Sequence, residues 1–134
     1  MATIKAKYTG NLRTEANHIQ SGKNLITDAP VDNMGKGEAF SPTDLLAASL
    51  GTCMLTTMGI AAQKNGFQMQ IVSIEITKIM ASNPRRVDEI QVTMDLSDSN
   101  YTDEQKSILE NAALNCPVAK SLHPDLKQTV DFNY

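Results

Sequence analysis

The chain contains only two cysteines, Cys53 and Cys116, and these are the residues best suited to chemistry. Cys53 lies inside a long apolar segment of helical character, and Cys116 precedes a proline at what resembles a helix start. The two are 63 residues apart in the sequence. Reducing compartments do not sustain stabilising disulfides. Two thiols that can meet in space therefore form a candidate redox centre.

The local sequence places the two thiols in different surroundings, one at a helix start and one in the middle of a helix. Pro117 favours the first position of a helix, which makes Cys116 the N-cap residue, where unpaired N–H groups and the positive helix end stabilise a thiolate. The alternative for Cys116 is a small buried hydrophobic residue at a helix junction. Cys53 lies mid-helix near Leu50 and Met54, so a thiolate there needs a cation from elsewhere, and its alternative is ordinary packing. Local sequence alone thus favours Cys116 as the more reactive thiol.

Composition and motifs argue against several classes of function. The net charge of −3 and the lack of a basic stripe argue against a nucleic-acid partner. The two histidines, His18 and His123, do not stand at a metal-ligating spacing, and no phosphate-binding loop precedes a helix, so we expect no metal and no cofactor. The N-terminus lacks a signal-peptide core, and polar residues interrupt the apolar stretch at 45–62. We therefore expect a cytoplasmic protein without a membrane partner.

Hydrophobic periodicity predicts a single α+β domain over residues 1–134 with mostly antiparallel strands. The first strand alternates in the manner of a half-buried strand, a loop covers residues 28–39, and Thr102 begins a capping box with Gln105. The predicted elements are strands near 4–8, 12–18 and 25–27, a helix at 42–64, strands near 72–76 and 90–96, helices after 102 and 116, and a strand at 130–134.

The long central helix has clear ends and an unusual composition. Ser41 is a capping residue, Pro42 suits the first helical position, and Asn65-Gly66 ends the helix. Its residues are apolar nearly all round, which predicts burial on most faces. A monomer of this size offers too little surface to cover such a helix, so we expect a partner chain.

Two motifs together resemble one known family. The segment Ser-Pro-Thr-Asp-Leu-Leu-Ala-Ala-Ser-Leu-Gly-Thr-Cys53-Met resembles the central-helix signature of the OsmC/Ohr family, the osmotically inducible and organic hydroperoxide resistance proteins. Asn-Cys116-Pro-Val-Ala-Lys-Ser-Leu resembles the second cysteine motif of that family, and the order of elements matches over essentially the whole chain. The resemblance implies the OsmC-like fold and an intertwined homodimer with two active sites at the subunit interface.

The resemblance also implies a thiol-dependent peroxidase that reduces organic hydroperoxides or hydrogen peroxide. Cys53 would attack the peroxide and become a sulfenic acid, and Cys116 would resolve it to a disulfide. An external dithiol, of the lipoyl type in one branch of the family, would reduce that disulfide. The family supplies the cation for the thiolate from an N-terminal arginine, for which Arg13 is the natural candidate. The alternative for Arg13 is an exposed strand residue.

One position departs from the hydroperoxide branch of the family. That branch has a Glu directly after the helix-start proline, where this chain has Thr43. Asp44 lies nine residues before Cys53, nearly on the opposite helix face, so it is interpreted as a capping residue. Two further readings therefore stand beside the peroxidase. One is a non-enzymatic dimer that binds a small hydrophobic or thiol-containing ligand or senses oxidation, and the other is a structural dimer with inert cysteines.

Overall fold

The computed structural model describes residues 1–134, and the chain divides into two compact units, Met1–Leu46 and Ala47–Tyr134. The predicted order of elements is confirmed, with a short 3-10 helix added at Val31–Asn33. The strands are β1 (Ile4–Gly10), β2 (Arg13–His18), β3 (Asn24–Asp28), β4 (Ser73–Ala81), β5 (Arg86–Asp95) and β6 (Lys127–Asn133), and the helices are α1 (Pro42–Lys64), α2 (Asp103–Leu114) and α3 (Pro117–Ser121).

The N-terminal unit contains a three-stranded antiparallel sheet in the order β1-β2-β3. Arg13, the first residue of β2, lies directly opposite Asp28, the last residue of β3. The sequence predicted a half-buried first strand, but every residue of β1 before Gly10 is exposed in the single chain, and Tyr8 is 65% exposed. Alternation in the sequence marks a face that can be buried, and this chain by itself does not cover it.

The C-terminal unit contains a second three-stranded sheet in the order β4-β5-β6. β4 and β5 form the predicted antiparallel hairpin, whereas β6 pairs with β5 in parallel. The parallel pair follows from the connection, since α2 and α3 lie between the two strands and carry the chain back to the same end of the sheet. The prediction of mostly antiparallel strands is confirmed, with this pair as the exception.

Side-chain caps fix where the two longer helices begin. At α1 the Asp44 N–H donates to Ser41 Oγ at 3.0 Å, and the Ser41 N–H donates to Asp44 Oδ2 at 3.0 Å. The same reciprocal arrangement joins Thr102 and Gln105 at the start of α2. These are capping boxes, so the predictions for Ser41, Asp44 and Thr102 are confirmed.

α1 buries one stripe of its surface, and this stripe is the centre of the core. Its buried residues recur every three or four positions, as one face of a helix requires. The other faces are only partly covered in the single chain, and Leu46 and Ile60 are exposed. Burial of α1 on most faces, which was predicted together with a partner chain, stays a prediction. A helix can lay only one face on one sheet. The buried residues of the stripe are Ala47, Leu50, Gly51, Met54, Met58 and Ala62.

The length and composition of α1 would also suit a membrane-spanning helix. By length and composition alone the helix could cross a membrane, although core helices of soluble proteins meet the same criterion. One stripe of this helix belongs to a core shared with Ile90, Val92 and Met94 of β5. The absence of a membrane span therefore stays a prediction.

Gly51 sets how closely α1 approaches the sheet. A Cβ atom at this position would lie 2.9 Å from Ile74 Cδ1 and would also collide with the side chain of Ile76, both on β4. Real Cβ atoms almost never approach a neighbour this closely. The missing side chain at Gly51 therefore lets the α1 backbone lie close to β4.

We expect Gly51→Ala to lower the free energy of unfolding by up to about 2 kcal/mol, because overpacking outweighs the gain in helix propensity. Gly59→Ala is the matched control on the same helix, since its Cβ would meet only Met69 Cε at 3.9 Å. It should raise the free energy of unfolding by about 0.5–1 kcal/mol. Urea denaturation measures both values, and equal stabilisation by the two substitutions would contradict the close approach.

Candidate functional site

The fold brings the two cysteines together within the C-terminal unit. Cys53 lies on α1, two residues after Gly51, and Cys116 is the residue before α3. Their side chains are close enough for Cys53 to affect the pKa of Cys116, and both cysteines are free rather than joined in a disulfide. Cys53 is partly exposed, whereas Cys116 is 0% exposed and belongs to the core. The pair therefore has one member that small molecules can reach and one that lies behind it.

A tether between α1 and α2 holds the helices that position the pair. Thr57 Oγ1, one turn beyond Cys53, donates to the Cys53 carbonyl at 2.9 Å and lies 3.3 Å from the Ala112 carbonyl on α2. Ala113 is buried in the same core, and the Cys116 N–H donates to its carbonyl at 3.4 Å. The end of α2 and the start of α3 are thereby fixed next to the Cys53 segment.

Cys116 has the predicted N-cap geometry, and its burial opposes the predicted stabilisation of a thiolate. Its Sγ accepts from the Ala119 N–H at 3.4 Å, and Pro117 occupies the first helical position. Burial nevertheless raises the pKa of Cys116, and the hydrogen bond and the charge of Cys53 raise it further, against the lowering effect of the Ala119 and Val118 N–H groups. Cys116 is therefore protonated at neutral pH, which opposes the thiolate that its helix start favours. Which of the two thiols reacts faster stays a prediction.

Arg13, the predicted cation, belongs to the N-terminal unit. Its guanidinium forms an ion pair with Asp28 there. Arg13 Nε donates to Asp28 Oδ1 at 2.7 Å, and Nη2 donates to Asp28 Oδ2 at 2.9 Å. The side chain of Asp28 is 2% exposed. The hydrogen bond from Arg13 holds the pKa of Asp28 below its usual range although burial opposes it, and the same bond raises the pKa of Arg13. Both groups are therefore charged at neutral pH.

Asp28 was not predicted as a site residue, because the sequence places it at the end of a short strand next to a loop. The signal that could have found it is the strand register, since a hairpin-like pairing of β2 and β3 puts Arg13 opposite Asp28.

Thr43 and Asp44 both contribute to the start of α1. Thr43 Oγ1 lies 3.2 Å from Ser41 Oγ, and the Asp44 carboxylate caps α1.

The hydrogen bonds of the two histidines go to residues of nearby turns and not to the cysteines. His18 Nδ1 is 2.6 Å from Ser21 Oγ, and His123 Nδ1 accepts from the Asp125 N–H at 3.0 Å. No group of three or more His, Cys, Asp or Glu side chains is arranged to hold a metal ion. Each histidine instead serves a local turn.

Comparison with known proteins agrees with the motif resemblance. The family profile described as OsmC-like protein matches residues 35–131, which is more than half of the chain and includes both cysteines. The uncharacterized protein YmaD of Bacillus subtilis strain 168 is 31% identical over 74 residues, which are 54% of this chain. The chain spans about half the length (48%) of that curated relative.

Solved structures resemble the whole chain. A candidate osmotic stress induced and detoxification response protein from Psychrobacter arcticus 273-4 is 51% identical, with a TM-score of 0.93 over 99% of this chain and 96% of that one. The organic hydroperoxide resistance protein OsmC from Legionella pneumophila is 16% identical, with a TM-score of 0.78 over 100% of this chain and 98% of that one. The predicted OsmC-like fold is therefore confirmed.

The different surroundings of the two thiols predict different rates of alkylation. In the folded protein at pH 8, iodoacetamide should modify Cys53 first and Cys116 at least about tenfold more slowly, because burial both shields Cys116 and raises its pKa. Peptide mapping by mass spectrometry follows each cysteine separately. In urea the two rates should become similar, and faster modification of Cys116 in the folded protein would contradict the arrangement.

Proposed function

The chain belongs to the OsmC-like family, and from this premise we propose that it is a thiol peroxidase acting on organic hydroperoxides or hydrogen peroxide. The observation that carries the proposal is the contact between an accessible Cys53 and a buried, protonated Cys116. The name of the Legionella pneumophila relative, an organic hydroperoxide resistance protein, points in the same direction.

The proposed first step is the attack of the Cys53 thiolate on one oxygen of the peroxide. The sulfur forms an S–O bond as the O–O bond breaks, and the other oxygen leaves as an alkoxide that takes up a proton to become an alcohol. With hydrogen peroxide the leaving group becomes water. Sulfur is oxidised by two electrons, the peroxide is reduced by two, and Cys53 becomes a sulfenic acid.

The proposed second step uses Cys116 as the resolving thiol. Its sulfur attacks the Cys53 sulfenic sulfur, the S–O bond breaks, and the oxygen leaves as water with the proton that Cys116 releases. The two thiols are close enough to interact before the reaction, which favours the disulfide as the resolved product. An external dithiol, for which a lipoyl-type group is the proposed class, then reduces the disulfide and is itself oxidised.

Arg13 is proposed to stabilise the negative charge on Cys53. Its guanidinium is fixed by Asp28 and stays protonated at every pH of interest. A cation lowers the free energy of the thiolate, and it can bind the leaving alkoxide in the same way. This role rests on the family resemblance and on the fixed orientation of the side chain.

A homodimer is proposed as the functional form. The single chain exposes Leu46 and Ile60 on α1, and it exposes Ile4 and Tyr8 on β1. Apolar side chains at this density on a regular helix and strand are typical of surfaces that bind a partner. A second copy of the chain fits the family resemblance and would cover them.

The peroxidase is tested by treating the reduced protein with one equivalent of cumene hydroperoxide and analysing it by non-reducing mass spectrometry. The wild type should lose two hydrogens as the Cys53–Cys116 disulfide forms. Cys116→Ser should instead gain one oxygen on Cys53, because the resolving thiol is missing. Cys53→Ser should do neither and should consume no peroxide.

The two cysteine variants serve as each other's controls, since each keeps one thiol. A wild-type Cys53 that stays a free thiol at neutral pH would contradict the peroxidase. If a small hydrophobic or thiol-containing compound then raised the melting temperature, the non-enzymatic binding role would take its place. Wild-type redox behaviour in Cys53→Ser would leave only a structural role.

The dimer is tested with Ile60→Lys on the exposed side of α1. A charge buried at an interface without a partner costs more than about 1.4 kcal/mol, so the dimer dissociation constant should rise at least about tenfold. Analytical ultracentrifugation measures it, with Ser107→Lys at an exposed position of α2 as the control. A monomeric wild type, or equal effects of the two substitutions, would contradict an interface at Ile60.

A further inference from the structure

Three threonines of α1 share one local hydrogen-bonding pattern. Thr52, Thr56 and Thr57 each donate from Oγ1 to the carbonyl four residues earlier, at 2.8, 2.9 and 2.9 Å. This arrangement joins a threonine side chain only to its own helix. Thr52 and Thr56 are exposed, whereas Thr57 is partly buried. Of the three hydroxyls, only that of Thr57 also contacts a neighbouring helix.

The second contact of Thr57 goes to the last turn of α2. Its Oγ1 lies 3.3 Å from the Ala112 carbonyl oxygen, which is 55 residues further along the chain. The last four carbonyls of a helix have no N–H partner within that helix. The neighbouring Ala113 carbonyl accepts from the Cys116 N–H, and the Ala112 carbonyl faces the Thr57 hydroxyl. The contact therefore joins α1 to the segment that ends at Cys116.

The Thr57 hydroxyl shares its one proton between the two helices. It lies 2.9 Å from the Cys53 carbonyl on α1 and 3.3 Å from the Ala112 carbonyl on α2. Shared hydrogen bonds of this kind are common at helix ends. The next residue of α2, Ala113, accepts from the Cys116 N–H at 3.4 Å. A short path of bonds thus runs from the backbone of one cysteine to the backbone of the other, within the C-terminal unit.

The core around this path is apolar. Met54 of α1 lies in the same cluster of buried side chains as Leu109, Ala113 and Cys116. Methionine is flexible, so its packing tolerates small shifts between helices. A hydrogen bond is more demanding, because it weakens steeply when its distance or angle changes. We therefore expect Thr57 to set the position of the end of α2 relative to α1.

From these contacts we propose that Thr57 is a positioning residue for the resolving step, in which Cys116 attacks the Cys53 sulfenic acid. The inference rests on the proposed function, because it concerns the second step of that reaction. The S–S bond forms as the S–O bond breaks, and the leaving hydroxide takes the proton of Cys116 to become water. The hydrogen bonds of Thr57 go to backbone carbonyls and not to sulfur. Thr57 acts by keeping Cys116 at reacting distance from Cys53.

The test separates two rate constants in a single turnover. Reduced protein is mixed with one equivalent of cumene hydroperoxide and quenched with acid at successive times. Mass spectrometry gives the fraction of sulfenic acid, which has gained one oxygen, and of disulfide, which has lost two hydrogens. Thr57→Val keeps the shape of the side chain without its hydroxyl. It should slow disulfide formation about tenfold and Cys53 oxidation less than about twofold, because only the second step needs both sulfurs in place.

Two further variants show whether the hydroxyl of Thr57 is responsible. Thr56→Val is the matched control, since it removes a hydroxyl from the adjacent position, where the bond goes only to the Thr52 carbonyl. Both of its rate constants should equal those of the wild type. Thr57→Ser keeps the hydroxyl and should form the disulfide at the wild-type rate. A slow Thr57→Ser would assign the effect to the lost methyl group and overturn the inference.

A second measurement follows the sulfenic acid that remains unresolved. A further equivalent of peroxide should convert more of Cys53 to sulfinic acid in Thr57→Val than in the wild type or in Thr56→Val. Equal slowing of oxidation and disulfide formation in Thr57→Val would indicate general damage to the fold and overturn the inference. If Thr57→Val does not fold, Thr57→Ala and Thr56→Ala replace the two valine variants, and the same outcomes decide.

The outcomes for the function and for Thr57 can be told apart. A wild-type protein that does not oxidise at Cys53 contradicts the proposed function and the inference with it. A wild type that forms the disulfide, beside a Thr57→Val that forms it equally fast, contradicts only the role of Thr57. Slow disulfide formation in Thr57→Val, with wild-type rates in Thr56→Val and Thr57→Ser, supports both.

Discussion

The close approach of α1 to the sheet at Gly51 is the contact on which the candidate redox pair depends. Because no Cβ stands between the helix backbone and Ile74, the helix can bury its stripe on β4 and β5. The buried stripe of α1, which includes Gly51 and Met54, faces the core, and this orientation sets where Cys53 lies around the helix. Cys53 stands at the border of the stripe, near Cys116 and still partly exposed to solvent.

Burial, rather than the helix start, decides the protonation of Cys116. The end of a helix contributes about 0.3–1 kcal/mol to a charge at ordinary exposure, and α3 has only five residues to supply it. Removing a thiolate from water costs more than this when the group is fully buried. The Ala119 N–H donates to the Cys116 sulfur at 3.4 Å, and this hydrogen bond lowers the pKa of Cys116 by less than burial raises it. The sequence shows the proline and the capping position, but it does not show which parts of the core bury them.

Local features of the sequence were sufficient to predict the helices and strands. Contacts between distant parts of the chain could not be predicted in this way. The caps at Ser41 and Thr102 and the helix end near Gly66 act within a few residues, so composition and spacing predict them. The parallel pairing of β5 with β6 depends on how the intervening helices pack. The exposure of the α1 face depends on what else surrounds it. The motifs around Cys53 and Cys116 recovered the fold because they record such packing for a whole family.

The Arg13–Asp28 pair is a contact that the two cysteine motifs of the sequence do not contain. A buried ion pair adds little net stability, because desolvation offsets most of the attraction between its charges. The main effect of the pair is to fix the direction of the Arg13 guanidinium. This effect requires a carboxylate at one point in space, whatever its number in the sequence. The register of β2 and β3 supplies that place in this chain. Thr43 Oγ1 lies 3.2 Å from Ser41 Oγ at the start of α1, and the carboxylate that pairs with the guanidinium comes from the end of β3.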